Sequence, residues 1–144
     1  MSAPPAELVA LLDGTAFAPT YGFRLTEAGD GECTVEVPYK ASFDRPGGVI
    51  SGPVFMAAAD AATWMAILTR LGPADGAVTV EMNTAFLAAA RREDFRCRAR
   101  VIRWGRSLVY AVAECVAGDG RILTHHTVTY FRPGSATAAA ATAR

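Results

Sequence analysis

Along residues 21–39, apolar and polar positions alternate with a period of two, the rhythm of a strand that buries one face. Two runs, 21–28 and 32–39, flank the turn residues Gly29, Asp30 and Gly31 and predict a hairpin. In the second run Cys33, Val35, Val37 and Tyr39 alternate with Glu32, Thr34 and Glu36. The rhythm then changes. From Ser51 to Thr69 the chain reads SGPVFMAAADAATWMAILT, apolar on every side of a helix and interrupted by a single charge, Asp60. Ser51, Gly52 and Pro53 form a good helix start, and Gly72-Pro73 a stop. An all-round apolar helix predicts burial on every side. Four further strand-like runs follow, at 77–87, 94–103, 106–117 and 121–131. In the first, Val78, Val80, Met82 and Phe86 are expected on one face, with Thr79, Glu81 and Asn83 on the other. Gly118-Asp119-Gly120 marks a hairpin between the last two.

The ends of the chain differ from its middle. Residues 4–13 predict a short helix with Leu8, Leu11 and Leu12 on one side, within an N-terminal segment of 1–19. Residues 133–144 become rich in Ala and Thr and predict a disordered tail. The folded domain should therefore cover 20–132. Its fold class is α+β: a curled antiparallel sheet of about six strands wrapped around one long central helix. A single sheet covers such a helix only in part, so a second copy of the chain is the natural remaining cover.

Composition narrows the partners. The chain has 144 residues, 51% of them hydrophobic and 19% charged, which suits one compact domain. Fourteen basic and fourteen acidic residues cancel, so no bulk charge attracts nucleic acid or an anionic membrane. A mid-helix Asp and a run of alanines argue against 51–69 as a membrane span. Cys33, Cys97 and Cys115 lie far apart in strand-like runs and read as free, buried thiols. With no basic region and apolar run at the N-terminus, they point to a cytoplasmic protein.

The order and spacing of these pieces resemble the hotdog-fold acyl-CoA thioesterases, especially the phenylacetate-degradation (PaaI) type. The resemblance covers residues 20–132. Members usually carry Gly-x-x-His-Gly-Gly at the entrance to the central helix and an acidic residue nine positions after the His. Here the entrance reads Gly48-Val49-Ile50-Ser51-Gly52-Pro53, and the ninth residue after Ser51 is Asp60. Ser51 stands where His is usual, and Pro53 where the second Gly is usual, as in a Ser-Gly-Pro branch of the family. Arg45, or its neighbour Asp44, falls near a position often held by Asn or Gln. The resemblance implies a hotdog fold, hydrolysis of a medium-chain or aromatic acyl-CoA, no cofactor, and a homodimer or dimer of dimers.

Thioester cleavage needs a group that attacks or activates water, and a donor for the oxyanion. Asp60, as the lone charge on its helix, is the candidate for general base or for nucleophile. Its structural alternative is an Asp bonded to nearby backbone or to Thr63. The Gly52 N–H, at the positive end of the helix, is the candidate oxyanion donor. Eight residues of helix separate the two, about 12 Å, so one carbonyl cannot reach both. Two antiparallel helices from two copies would bring Asp60 of one beside Gly52 of the other, which places the site at a dimer interface. Ser51, Arg45, Pro53, Thr63, Trp64, Met82 and Asn83 are the candidate substrate-binding residues, with Phe86 a further candidate for the pocket wall. The arginines from Arg91 to Arg106 offer themselves to the phosphates of coenzyme A, though Arg96, Arg98 and Arg100 equally suit a solvated strand face. His125 and His126 point to opposite faces of a strand and make a poor metal pair, so no metal is expected.

Two rivals remain. A hydratase or dehydratase of the same fold generally uses a catalytic His, and none precedes residue 125. A non-catalytic dimer that binds acyl groups or another apolar ligand would need Asp60 for no turnover at all.

Overall fold

A computed structural model describes residues 2–134; the tail expected at 133–144 lies almost wholly outside them. The chain begins with helix α1 (Ala6–Asp13) and a single helical turn, α2 (Ala18–Tyr21), followed by the hairpin β1 (Arg24–Gly29) and β2 (Glu32–Val37). A 3-10 turn at Ala41–Phe43 leads into two short strands, β3 (Asp44–Arg45) and β4 (Val49–Ile50). The long helix α3 (Gly52–Leu71) comes next, then β5 (Val78–Phe86), β6 (Phe95–Trp104), β7 (Leu108–Ala117) and β8 (Ile122–Phe131). Six strands form one antiparallel sheet in the order β1-β2-β6-β7-β8-β5, while β3 and β4 pair separately.

The local reasons are mostly those the sequence contains. Asp30 and Gly31 both take positive φ, 50° and 79°, so the β1–β2 turn is of the type whose twist matches a two-residue hairpin. Pro53 occupies the first turn of α3, where its missing N–H costs nothing. Gly72 ends the helix at φ 87°, and its N–H bonds to the Leu68 carbonyl at 2.9 Å. Small residues let the sheet close on the helix: Ala58, Ala59, Ala62 and Ala66 are wholly buried, packed with Cys33, Val35 and Cys97. By length and composition α3 could cross a membrane, but most of its surface is covered by the sheet. Leu8 and Leu12 join the same core, so α1 is part of the packed unit and not an appendage to it.

Two expectations are corrected, the start of the first strand and the faces of β5. Tyr21 belongs to α2, which Gly22 ends at φ 68°, so the first strand starts at Arg24. Between the first hairpin and α3 the chain forms a second, short hairpin, β3–β4. The sheet covers α3 only in part, as expected of a single sheet: Pro53 and Met56 are exposed and Ala57, Asp60 and Trp64 only half-buried. These five residues recur every three or four positions and form one open stripe along the helix. Finally, β5 is an edge strand whose alternation breaks. Thr79 stands opposite Tyr130 and Glu81 opposite Thr129, so Val80 is an extra, bulged residue. The bulge puts Thr79 on the same face as Met82, toward the helix, and not with Glu81 and Asn83.

Candidate active site

Asp60 projects from the open stripe of α3 toward the β5–β8 edge of the sheet. Its Oδ1 accepts two hydrogen bonds, from the Thr79 hydroxyl at 2.6 Å and the Tyr130 hydroxyl at 2.7 Å. Tyr130 also reaches the Asp60 backbone carbonyl at 3.1 Å. Burial, and then the nearby Asp60 charge, push the Tyr130 hydroxyl far above the usual phenol range, so it stays protonated and donates. The carboxylate borders a cavity of about 470 Å³ whose walls include Phe17, Tyr21, Ala57, Trp64 and Val78. Among the described residues, Asp60 is the only charged one in its lining. A carboxylate in a concave, mostly apolar wall, held by hydroxyl donors, is suited to act on a substrate with an apolar body.

The start of α3 borders a different cavity. Gly52, Arg45, Phe55 and Phe86 line about 440 Å³ of space that Asp60 does not reach. The Gly52 N–H lies at the first helical position, where no intrahelical acceptor exists, and it carries the positive end of the helix dipole. A Cβ on Gly52 would come within 3.0 Å of the Phe86 ring, so only glycine fits beneath that ring without displacing it. This end offers an anion or a carbonyl oxygen a hydrogen-bond donor. One chain therefore holds two half-sites, a carboxylate at one and an N–H donor at the other, along a single open stripe.

The remaining candidates divide between and around these half-sites. Trp64 stands with Asp60, and Arg45 and Phe86 with Gly52. Ser51 is half-buried, lines neither cavity and makes no capping bond through its side chain, although its N–H bonds to the Phe43 carbonyl at 2.9 Å. Pro53 is exposed on the stripe. Thr63 is corrected: it is wholly buried on the sheet side of α3, its hydroxyl meets no partner among the described residues, and it does not reach the Asp60 carboxylate. Met82 packs into the core and borders neither cavity. Asn83 is also corrected. Beyond the bulge it alternates with the inward Met82, so it lies on the outer face of the sheet, away from both cavities.

Arg96, Arg98 and Arg100 stand on the outer face opposite Glu36, Thr34 and Glu32, as a solvated strand face would. The two histidines part as expected. His125 meets Glu114 at 2.8 Å, while buried His126 bonds to Thr84 and Thr124. Neither lines either half-site.

Tyr130, Phe17 and Tyr21 escaped the sequence reading. Tyr130 is one inward residue among several on β8, and its meeting with Asp60 spans 70 residues. Phe17 precedes the expected domain, and Tyr21, at its start, falls in a run that reads as strand but ends α2; both reach the cavity wall.

Residues 47–124, over half the chain, match the thioesterase superfamily. The chain belongs to this superfamily. A Saccharolobus solfataricus protein named "putative esterase" is 34% identical over 92 residues, covering 64% of this chain and 65%, just under two thirds, of that one. A conserved protein of Pseudomonas aeruginosa is 26% identical, with a TM-score of 0.81 over 90% of this chain and 99% of that one. A phenylacetic acid degradation-related protein of Ralstonia eutropha JMP134 is 27% identical, with a TM-score of 0.77 over 87% of this chain and 98% of that one. The fold is the hotdog fold, with α3 as its central helix. Within a hotdog thioesterase, the open stripe and the edge strand beside it are the parts of the chain that its own sheet leaves uncovered.

Proposed function

We propose that the protein hydrolyses the thioester bond of a medium-chain or aromatic acyl-coenzyme A, at a site completed by a second copy of the chain. Asp60 attacks the thioester carbonyl or activates water against it, and the Gly52 N–H of the other copy stabilises the oxyanion. The observation that carries this reading is the separation of the two half-sites. A carboxylate and an oxyanion donor are both present, border different cavities, and lie along one uncovered stripe. Two such stripes packed antiparallel would join each Asp60 cavity to the other chain's Gly52 cavity.

The aromatic and aliphatic wall around Asp60 suits the acyl group. At the other end Arg45 and the nearby Arg91, which bonds to the Gly47 carbonyl at 2.9 Å, suit coenzyme A phosphates. A dimer, or a dimer of dimers, would cover the exposed edge strand β5. The Ser51-Gly52-Pro53 entrance fits a variant of the phenylacetate-degradation type in which Pro53 helps to fix the helix start. Free buried thiols at Cys33, Cys97 and Cys115 agree with a cytoplasmic setting. The absence of a His from both half-site walls speaks against a hydratase.

The test is thiol release from a panel of acyl-coenzyme A thioesters by wild type and Asp60→Asn, with the oligomeric state measured by sedimentation. Turnover by a dimeric wild type that collapses in Asp60→Asn supports the reading and names the acyl class. Tight acyl binding by both proteins with no thiol release would replace it with a ligand-binding dimer.

A further inference from the structure

From the contacts of the Asp60 carboxylate we infer that Tyr130 is a positioning residue of this site: it locks the carboxylate so that Oδ2 alone faces the substrate. The inference rests on the thioesterase reading and assigns a role to a residue outside the α3 motif. Both donors to the carboxylate converge on one oxygen. Tyr130 at 2.7 Å and Thr79 at 2.6 Å bond to Oδ1, and among the described residues none donates to Oδ2. A carboxylate on an open helical stripe would otherwise turn freely about its side-chain bonds. Two donors on one oxygen hold the group in a single rotamer and leave the second oxygen unengaged at the cavity.

The two donors are not equivalent. Thr79 sits on the exposed edge strand β5, and its hydroxyl can rotate to another partner. Tyr130 is 3% exposed on β8, an internal strand bonded to β7 and β5. Its ring is fixed by packing against Ile67, Val109 and Val128, so the hydroxyl cannot follow a carboxylate that swings away. Its single O–H proton is directed to Oδ1 at 2.7 Å, with the Asp60 carbonyl at 3.1 Å as the weaker, shared acceptor, so side chain and backbone of the same residue lie against one rigid point. The bulge at Val80 is what brings Thr79 to the inward side opposite Tyr130. Register, bulge and ring packing thus converge on the orientation of one carboxylate. A reacting group misplaced by about 1 Å can cost two orders of magnitude in rate, so the loss of this anchor should appear in turnover and not in binding.

The experiment is steady-state kinetics of the full chain with the acyl-coenzyme A that the wild type hydrolyses best, alongside thermal melts. Tyr130→Phe removes only the hydroxyl. It should lower kcat by about 10- to 100-fold while KM changes by less than about twofold. Thr79→Val, which removes the other donor from the same oxygen, should lower kcat less, again at steady KM, and gives a second reading should Tyr130→Phe fold poorly. A folded Tyr130→Phe with wild-type kcat, or a loss carried by KM alone, would overturn the inference and leave the thioesterase reading standing; so would an unchanged kcat in Thr79→Val if Tyr130→Phe does not fold. A wild type inert toward every thioester would remove that reading and this inference together.

Discussion

The two faces of α3 are both mainly apolar and have opposite fates. On one, Ala58, Ala59, Ala62, Met65 and Ala66 are wholly buried against the sheet. On the other, Pro53, Met56, Ala57, Asp60 and Trp64 stay partly or fully open, beside an edge strand on which Val78 and Val80 are more than half exposed. Hydropathy does not tell the faces apart. What differs is side-chain size and the reach of the sheet: alanines let the strands approach the closed face, while the sheet stops at β5 before it can cover the stripe. A carboxylate is tolerable on the open face and would be costly on the closed one. The proposed chemistry accordingly lies where the chain leaves its own core unfinished.

Several substitutions probe that contrast. Asp60→Asn, the only change that removes the charge from the stripe, should lower kcat by about 10³-fold in thiol-release assays. Mixed under refolding conditions with an equally inactive Gly52→Leu, it should recover about a quarter of wild-type activity, because half of the dimers would be mixed and each would hold one intact site. A mixture that stays inactive would show that the two half-sites do not complete each other across chains.

Val80→Lys places a charge on the exposed bulge of β5 and should leave the closed face untouched. Sedimentation should then shift toward the single chain, with activity falling by about tenfold or more at micromolar protein. Unchanged sedimentation would mean that the edge strand is not the covered surface. Gly52→Ala keeps the N–H but drives a methyl into the Phe86 ring, and kcat should fall by about tenfold with little loss of fold.

The smallest effects separate the faces by stability alone. Ala62→Leu overpacks the closed face and should cost about 1–3 kcal/mol in denaturant unfolding. Ala57→Leu, with open space beside it, should cost the isolated chain much less. Equal costs would erase the distinction between the faces.

Much of this was legible in the sequence, for identifiable reasons. The span of α3 follows from Ser51-Gly52-Pro53 at one end and Gly72-Pro73 at the other. Two hairpin turns announce themselves through Asp30-Gly31 and Asp119-Gly120. Asp60 stands out because no other charge shares its helix before Arg70. The misses share a cause as well. Thr63 looked like a partner for Asp60 because it lies one turn away, yet it falls on the closed face. Thr79 and Asn83 were assigned to one face of β5 by strict alternation, and the bulge at Val80 separated them.

The features readable from the residue order are local: periods, caps, turns, the placement of one carboxylate on an apolar helix, and a core large enough for one domain. Each depends on residues within a few positions of one another, so composition and spacing carry it. Packing in three dimensions sets which face of α3 the sheet covers, where the sheet ends, and which hydroxyls meet Asp60. The bond from Tyr130 to Asp60 joins residues 70 positions apart and depends on the register of β8 against β5 and on a single bulged residue. Such contacts are set by the simultaneous packing of all six strands on one helix, and no local window of sequence contains that sum.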